Sequence, residues 1–254
     1  LSGLPGWENV PVRAVLEEAL GLPCHVDNDS NALALAAKWT GLVEEDVDAV
    51  VLSLGEGLGA GVLSKGSLLY GSHSNAGEVG HMTIRYDGAP CPCGNRGCLE
   101  TFVSDRALLD RMRSCGLADS GPDTGTGIRK LVDLAETGNP EALALVREAG
   151  GFLGIGLDHV VKAYDPDTIV VHCDWLMPFP ELARDIVEGV FARCPWVRRD
   201  RLRIRLGSVE DIEGIGPSAL VLEALFADPA TSRLVAKLER DMGKGEAGTG
   251  GIAP

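Results

Sequence analysis

Three cysteines stand close together in Cys91-Pro92-Cys93-Gly94-Asn95-Arg96-Gly97-Cys98, and His81 lies ten residues before the first of them. Thiolates and an imidazole are ligands that Zn²⁺ accepts readily, four of them at the corners of a tetrahedron. Cys91, Cys93 and Cys98 on one tight loop, with His81 folding back onto it, therefore predict a zinc site. Four protein ligands leave no position for water, so such a metal would brace the fold rather than hydrolyse a substrate. The competing readings are reduced surface cysteines or a redox pair. A disulfide between cysteines one residue apart is strained. Cys24, Cys115, Cys173 and Cys194 are scattered, and an odd total of seven does not suggest a disulfide framework.

Carboxylates and amides make a second group. Asn28 and Asp29 sit in Val26-Asp27-Asn28-Asp29-Ser30-Asn31-Ala32, Glu78 in Gly77-Glu78-Val79-Gly80-His81, and Glu100 closes the cysteine run. Singly, each has a plain explanation: Asp29 as a helix cap, Asn28 as turn chemistry, Glu78 and Glu100 as solvated surface acids. The run GEGLGAG at 55–61 lacks the GxGxxG spacing of a dinucleotide fold and reads as a turn between strands.

Several elements must position these groups. CHVD at 24–27 reads as a strand end, leading into a helix near 30–39 capped by Asp29 or Ser30. Residues 48–54 and 59–63 read as strands, with a third at 67–70 before a long loop through 71–98. Asn139-Pro140 starts a helix reaching about Tyr164, in which Leu145, Ala149, Phe152, Gly156 and Val160 form one buried stripe. Gly150, Gly151, Gly154 and Gly156 should let another element approach closely. A central strand at 168–172, a helix at 178–193, a strand at 202–207 and helices at 217–227 and 230–241 follow. The GKGEAGTGGIAP tail has too little apolar content to pack. Alternating strands and helices indicate an α/β protein. The proposed division is 1–45, 46–228 and 229–254.

With 254 residues and a formal charge of −14, the chain would repel a phosphate backbone. Its one basic cluster is Arg198, Arg199, Arg201, Arg203 and Arg205, and the alternation from Arg201 to Arg205 around Leu202, Ile204 and Leu206 reads as one polar face of a strand. The chain by itself is not expected to bind DNA. No apolar run is long enough to span a membrane and no secretory leader is evident, so a cytoplasmic location is the default expectation.

Taken jointly, GEVGH at 77–81, CPCGNRGCLE at 91–100 and VDNDSNA at 26–32 resemble the ROK family of repressors and sugar kinases. GEGLGAG at 55–61 and YDPDTIVV at 164–171 fall where that family has counterparts. The resemblance implies an actin-like, sugar-kinase (ribonuclease H-like) fold of two α/β lobes with a zinc-bearing loop. Residues 1–45 would be the remnant of an incomplete first lobe and 46–228 the second. It implies a sugar or amino sugar held by Asn28, Asp29, Glu78, His81 and Glu100, and a structural zinc on His81, Cys91, Cys93 and Cys98.

The family holds both kinases and sensors. In a kinase Asp29 would be the catalytic base, with ATP and Mg²⁺ beside Gly55, Gly57 and Gly59. Family kinases carry Thr where this chain has Glu56, and glycines where it has His172-Cys173-Asp174-Trp175. Those side chains are expected to crowd the nucleotide space. The expectation is therefore the effector domain of a sugar-responsive transcriptional regulator, a homodimer or higher homo-oligomer. DNA would be read by a helix-turn-helix preceding residue 1. Without the rest of the first lobe, the strand near residue 25 should have an exposed edge, covered by a partner or by atypical packing of residues 1–45.

Overall fold

The computed structural model describes residue 7 and residues 9–118, 123–207 and 214–226. Its strands are β1 (Ala49–Leu54), β2 (Leu58–Ser64), β3 (Ser67–Leu68), β4 (Thr168–Cys173) and β5 (Arg203–Gly207). They form one sheet in the order β3-β2-β1-β4-β5. β1 pairs antiparallel with β2 and parallel with β4, and β4 pairs parallel with β5. The helices are α1 (Val12–Leu20), α2 (Asp29–Trp39), α3 (Glu100–Val103), α4 (Asp105–Ser114), α5 (Thr124–Glu136), α6 (Pro140–Tyr164), α7 (Pro180–Arg193) and α8 (Gly216–Phe226). This mixed sheet with helices on both faces is the α/β class expected.

Side chains alternate across a strand, so each central strand feeds two cores. Val50, Leu52 and Leu54 of β1 join Ile169 and Val171 of β4 against α6 and the smaller helices. Ala49 and Val51 join Val170 and Leu63 beneath Leu33, Ala36 and Ala37 of α2 and Ala219 of α8. Two glycines of β2 face α2 at a separation no side chain would tolerate. A Cβ on Gly59 would lie 2.0 Å from Ser30 Oγ, and one on Gly61 would lie 2.3 Å from the Ser30 carbonyl oxygen. Much of the GEGLGAG run is thus explained by helix-on-sheet packing. α2 is tied to α8 at its far end, where Lys38 Nζ and Trp39 Nε1 each lie 3.1 Å from the Glu223 carboxylate.

Several expectations need correction. Asn28, not Asp29 or Ser30, caps α2: its side chain accepts the Ser30 N–H at 2.8 Å, in an extended backbone conformation. Residues 24–27 carry no strand, so the described sheet has its edges at β3 and β5 and not near residue 25. α1 was not anticipated and buries none of its residues. α6 matches the expected helix, and Asn139 caps it through two N–H groups at 3.1 and 3.0 Å. Gly150, Gly154 and Gly156 meet α7 or Leu99 closely, while Gly151 faces open space. The helix expected at 230–241 and the tail lie outside the described residues.

Candidate functional site: a thiol-imidazole cluster beside an amide-lined pocket

The long connection after β3 is folded back by local geometry. Gly97 has a φ of +65°, and a Cβ there would sit 1.6 Å from the Arg85 carbonyl oxygen, so glycine is required. Bridges between Thr83 and Cys98 and between Pro90 and Arg96 close the loop. A 3-10 turn at Val79–His81 aims the imidazole at it. The ligand atoms of His81, Cys91, Cys93 and Cys98 all lie within 4.8 Å of one another. His81 Nδ1 is 3.5 Å from Cys91 Sγ, and Cys93 Sγ is 3.7 Å from Cys98 Sγ. Cys91 and Cys98 are buried. Burial, then the neighbouring thiols, pushes the Cys98 thiol up to about 12, and burial raises Cys91, whereas the Asn95 N–H lowers Cys93. The expected four ligands are brought together, and the group could hold a metal ion.

The far side of the imidazole points to the acids. His81 Nε2 lies 3.8 Å from Glu78 Oε2. Glu78 in turn lines a small pocket of about 60 Å³ with Asn28, Asn31, Gly59, Ser74 and Gly77. Of the expected sugar residues, Asn28 and Glu78 share this pocket and His81 adjoins it through Glu78. Glu100 lies to one side, at the N-terminus of α3. Its Oε2 accepts the Leu58 N–H at 3.0 Å, and a Cβ on Gly57 would lie 3.0 Å from that same oxygen. Asp29 opens instead onto a cavity of about 350 Å³, lined also by Ala32, Leu33, Ser53, Gly216 and Pro217. Its Oδ1 is fixed by the Ser30 N–H at 2.7 Å and the Ser30 hydroxyl at 3.3 Å, leaving Oδ2 for a ligand.

Asn31 and Ser74 were missed from the sequence. Asn31 could have been found, because it stands in the same VDNDSNA run as Asn28 and Asp29. Ser74 comes from the loop and gives no periodic signal.

The turn between β1 and β2 has an acidic setting. The Asp105 N–H donates to the Gly55 carbonyl at 2.9 Å, which brings the start of α4 onto the turn. Burial, then the charges of Asp174 and Glu56, pushes the Asp105 carboxyl up to about 6. Glu56 itself is exposed, with Arg106 at 4.0 Å. The expected crowding by residues 172–175 does not occur. His172, Cys173 and Trp175 are buried, and Trp175 Nε1 donates to the Val103 carbonyl at 3.2 Å. Asp174 is the residue of that run that stays exposed.

The mixed-sheet α/β unit, which sets an amide- and carboxylate-lined pocket beside a thiol-imidazole loop, has a sugar-kinase-like fold. The chain belongs to the ROK family, whose sequence profile matches residues 4–194. It is 36% identical over 173 residues to the xylose repressor of Caldicellulosiruptor bescii, covering 65% of this chain and 43% of that one. Among solved structures it is similar to the ROK hexokinase of Thermus thermophilus, with a TM-score of 0.71, 31% identity, and coverage of 85% of this chain and 73% of that one. A ROK family transcriptional regulator, a homolog of the E. coli MLC protein, gives a TM-score of 0.66 and 29% identity, covering 85% and 55%. The chain spans about half the length of the curated relatives it matches. No helix among the described residues is long and apolar enough to cross a membrane.

Proposed function

We propose that this chain is the sugar-sensing part of a ROK-family transcriptional regulator, in which DNA is read by a segment other than these residues. The observation that carries the choice of sensor over kinase is the acidic setting of the Gly55 turn. Burial, then the nearby charges of Asp174 and Glu56, makes Asp105 resist ionisation. A nucleotide triphosphate approaching that turn would meet like charge, which only cations could offset.

Sugar hydroxyls both donate and accept, so amides and carboxylates suit them. Asn28, Asp29, Glu78, His81 and Glu100 remain the proposed ligands. The donor set also supports zinc as the metal. A tetrahedron with Zn–S of about 2.3 Å and Zn–N of about 2.0 Å has edges of roughly 3.8 Å between sulfurs and roughly 3.5 Å from sulfur to nitrogen. The Cys93–Cys98 and Cys91–His81 separations of 3.7 and 3.5 Å fit those edges. His81, Cys91, Cys93 and Cys98 would hold the ion, which would brace the loop. With Nδ1 committed there, the proton of His81 would reside on Nε2, which lies 3.8 Å from Glu78 Oε2. Sugar binding would then shift a two-state equilibrium of a dimer by its differential affinity for the two states.

The second reading is a sugar kinase with Asp29 as base. It is favoured by the cavity of about 350 Å³ onto which Asp29 opens. Coupled measurement of ADP release with D-glucose, D-xylose and N-acetyl-D-glucosamine separates the two. Sugar binding by calorimetry without ADP release supports the sensor. ADP release that disappears in Asp29→Asn establishes the kinase.

A further inference from the structure

Asp27 and Asn31 flank the Asn28-Asp29 pair and form a network that the sugar-binding reading does not use. Asp27 Oδ1 accepts from Asn31 Nδ2 at 2.8 Å and from the Asn28 N–H at 2.7 Å. Asp27 Oδ2 accepts from the Tyr70 hydroxyl at 2.7 Å, which ties the end of the β3 hairpin to the start of α2. An ionised carboxylate only accepts, so the Asn31 amide must turn its NH₂ toward Asp27. That fixes where its carbonyl oxygen points. Asn31 lines the small pocket together with Asn28, Ser74 and Glu78, and Oδ1 of Asn31 meets no donor among the described residues. Asn28 is oriented in the opposite sense, since its Oδ1 is spent on the Ser30 N–H and its NH₂ is left for a ligand.

We propose that Asn31 is a specificity-determining ligand for one ring hydroxyl of the bound sugar, its carbonyl oxygen aimed by the Asp27–Tyr70 pair. The inference rests on the sugar-binding reading of the same pocket. Asn28 presents a donor and Asn31 an acceptor, so the pocket distinguishes a hydroxyl placed to donate to Asn31 from an epimer that points it elsewhere. Tyr70 sustains the arrangement: burial, then its bond to Asp27, pushes its hydroxyl up to about 12, so it remains a donor throughout the neutral range.

The test is calorimetric titration of the zinc-loaded wild type, Asn31→Ala and Tyr70→Phe. The probes are D-glucose, D-xylose and N-acetyl-D-glucosamine, followed by every monodeoxy form of whichever sugar binds. In the wild type, one deoxy analogue should bind about tenfold or more weaker than its parent, because the acceptor is left unpaired. In Asn31→Ala the parent should fall about tenfold and that one ratio should collapse to about one, while the other deoxy ratios keep their wild-type values. Tyr70→Phe should reduce the same ratio several-fold and leave the others alone. A merely structural Asn31 would weaken the parent and all analogues alike, and that result overturns the inference. So does a Tyr70→Phe variant with every ratio unchanged, which covers the case of an Asn31→Ala protein that fails to fold. If the wild type binds none of the three sugars, the sugar-binding reading itself falls.

Discussion

The Asn28 amide divides its atoms between two tasks. Its oxygen satisfies the Ser30 N–H at the start of α2, which leaves its nitrogen for a ligand in the small pocket that Asn28 lines. Serine caps a helix about as well as asparagine but carries no NH₂. Asn28→Ser should therefore leave urea stability within about 0.5 kcal/mol of wild type while weakening sugar affinity about tenfold. Asn28→Ala should lose both, with about 1 kcal/mol less stability. Equal loss of affinity and stability in the serine variant would show that the cap is the residue's whole role. Asp105 gives the pH counterpart. Folded, it keeps its proton up to about 6, whereas the unfolded chain releases it near the ordinary value of 3.8. The folded state thus holds the extra proton between about 4 and 6, and stability falls as pH rises through that window and is level above it. Asp105→Asn should remove that fall. Because the side chain is half-buried, the gain at pH 7 should be about 1 kcal/mol, with none at pH 4, by denaturant titration at both pH values.

At the scale of elements, the loop from Gly71 to Cys98 holds little regular structure beyond one 3-10 turn and two isolated bridges. Its order would depend on the metal, because the buried Cys91 and Cys98 thiols otherwise favour their protonated forms. Chelation of zinc should lower the melting temperature by several degrees, expose the loop to protease between Met82 and Cys98, and abolish sugar binding, with zinc restoring all three. Unchanged melting, proteolysis and binding in metal-free protein would remove the zinc from the argument. The clustering of His81, Cys91, Cys93 and Cys98 was legible in the sequence because cysteine spacing is local chemistry. The main strands and α6 were legible because their apolar period is local too. Tyr70, Ser74 and Asp105 were not, since each acquires its role from a partner far along the chain. The misread crowding by Trp175 has the same origin: only the fold decides that an indole after β4 turns into the core and donates to Val103.

For the molecule as a whole, the balance of charge limits what the surface can meet. The arginines around β5 are largely matched by the chain's own acceptors. Arg203 pairs with Glu44, Arg205 donates to the Leu42 carbonyl at 3.1 Å, and Arg198 and Arg199 pair with Asp200 and Glu188. Arg199 also lies 4.7 Å over the Phe191 ring, which occupies its planar face. A net charge of −14 surrounds this patch. Nucleic-acid affinity depends on cations free to displace counterions from phosphate, and four of the five arginines of this cluster are already engaged. Fluorescence anisotropy with a labelled 30-base-pair duplex should therefore detect no association up to about 100 μM protein at 150 mM salt, weaker than ordinary non-specific binding. The result should be the same with and without sugar, because the proposed sugar pocket involves none of these arginines. Association that weakens steeply with added salt would show that the patch is available to phosphate, and DNA reading would then belong partly to these residues. Without it, the proposed effect of sugar on DNA would have to pass through a conformational equilibrium shared with another segment, the coupling that the sensor reading requires.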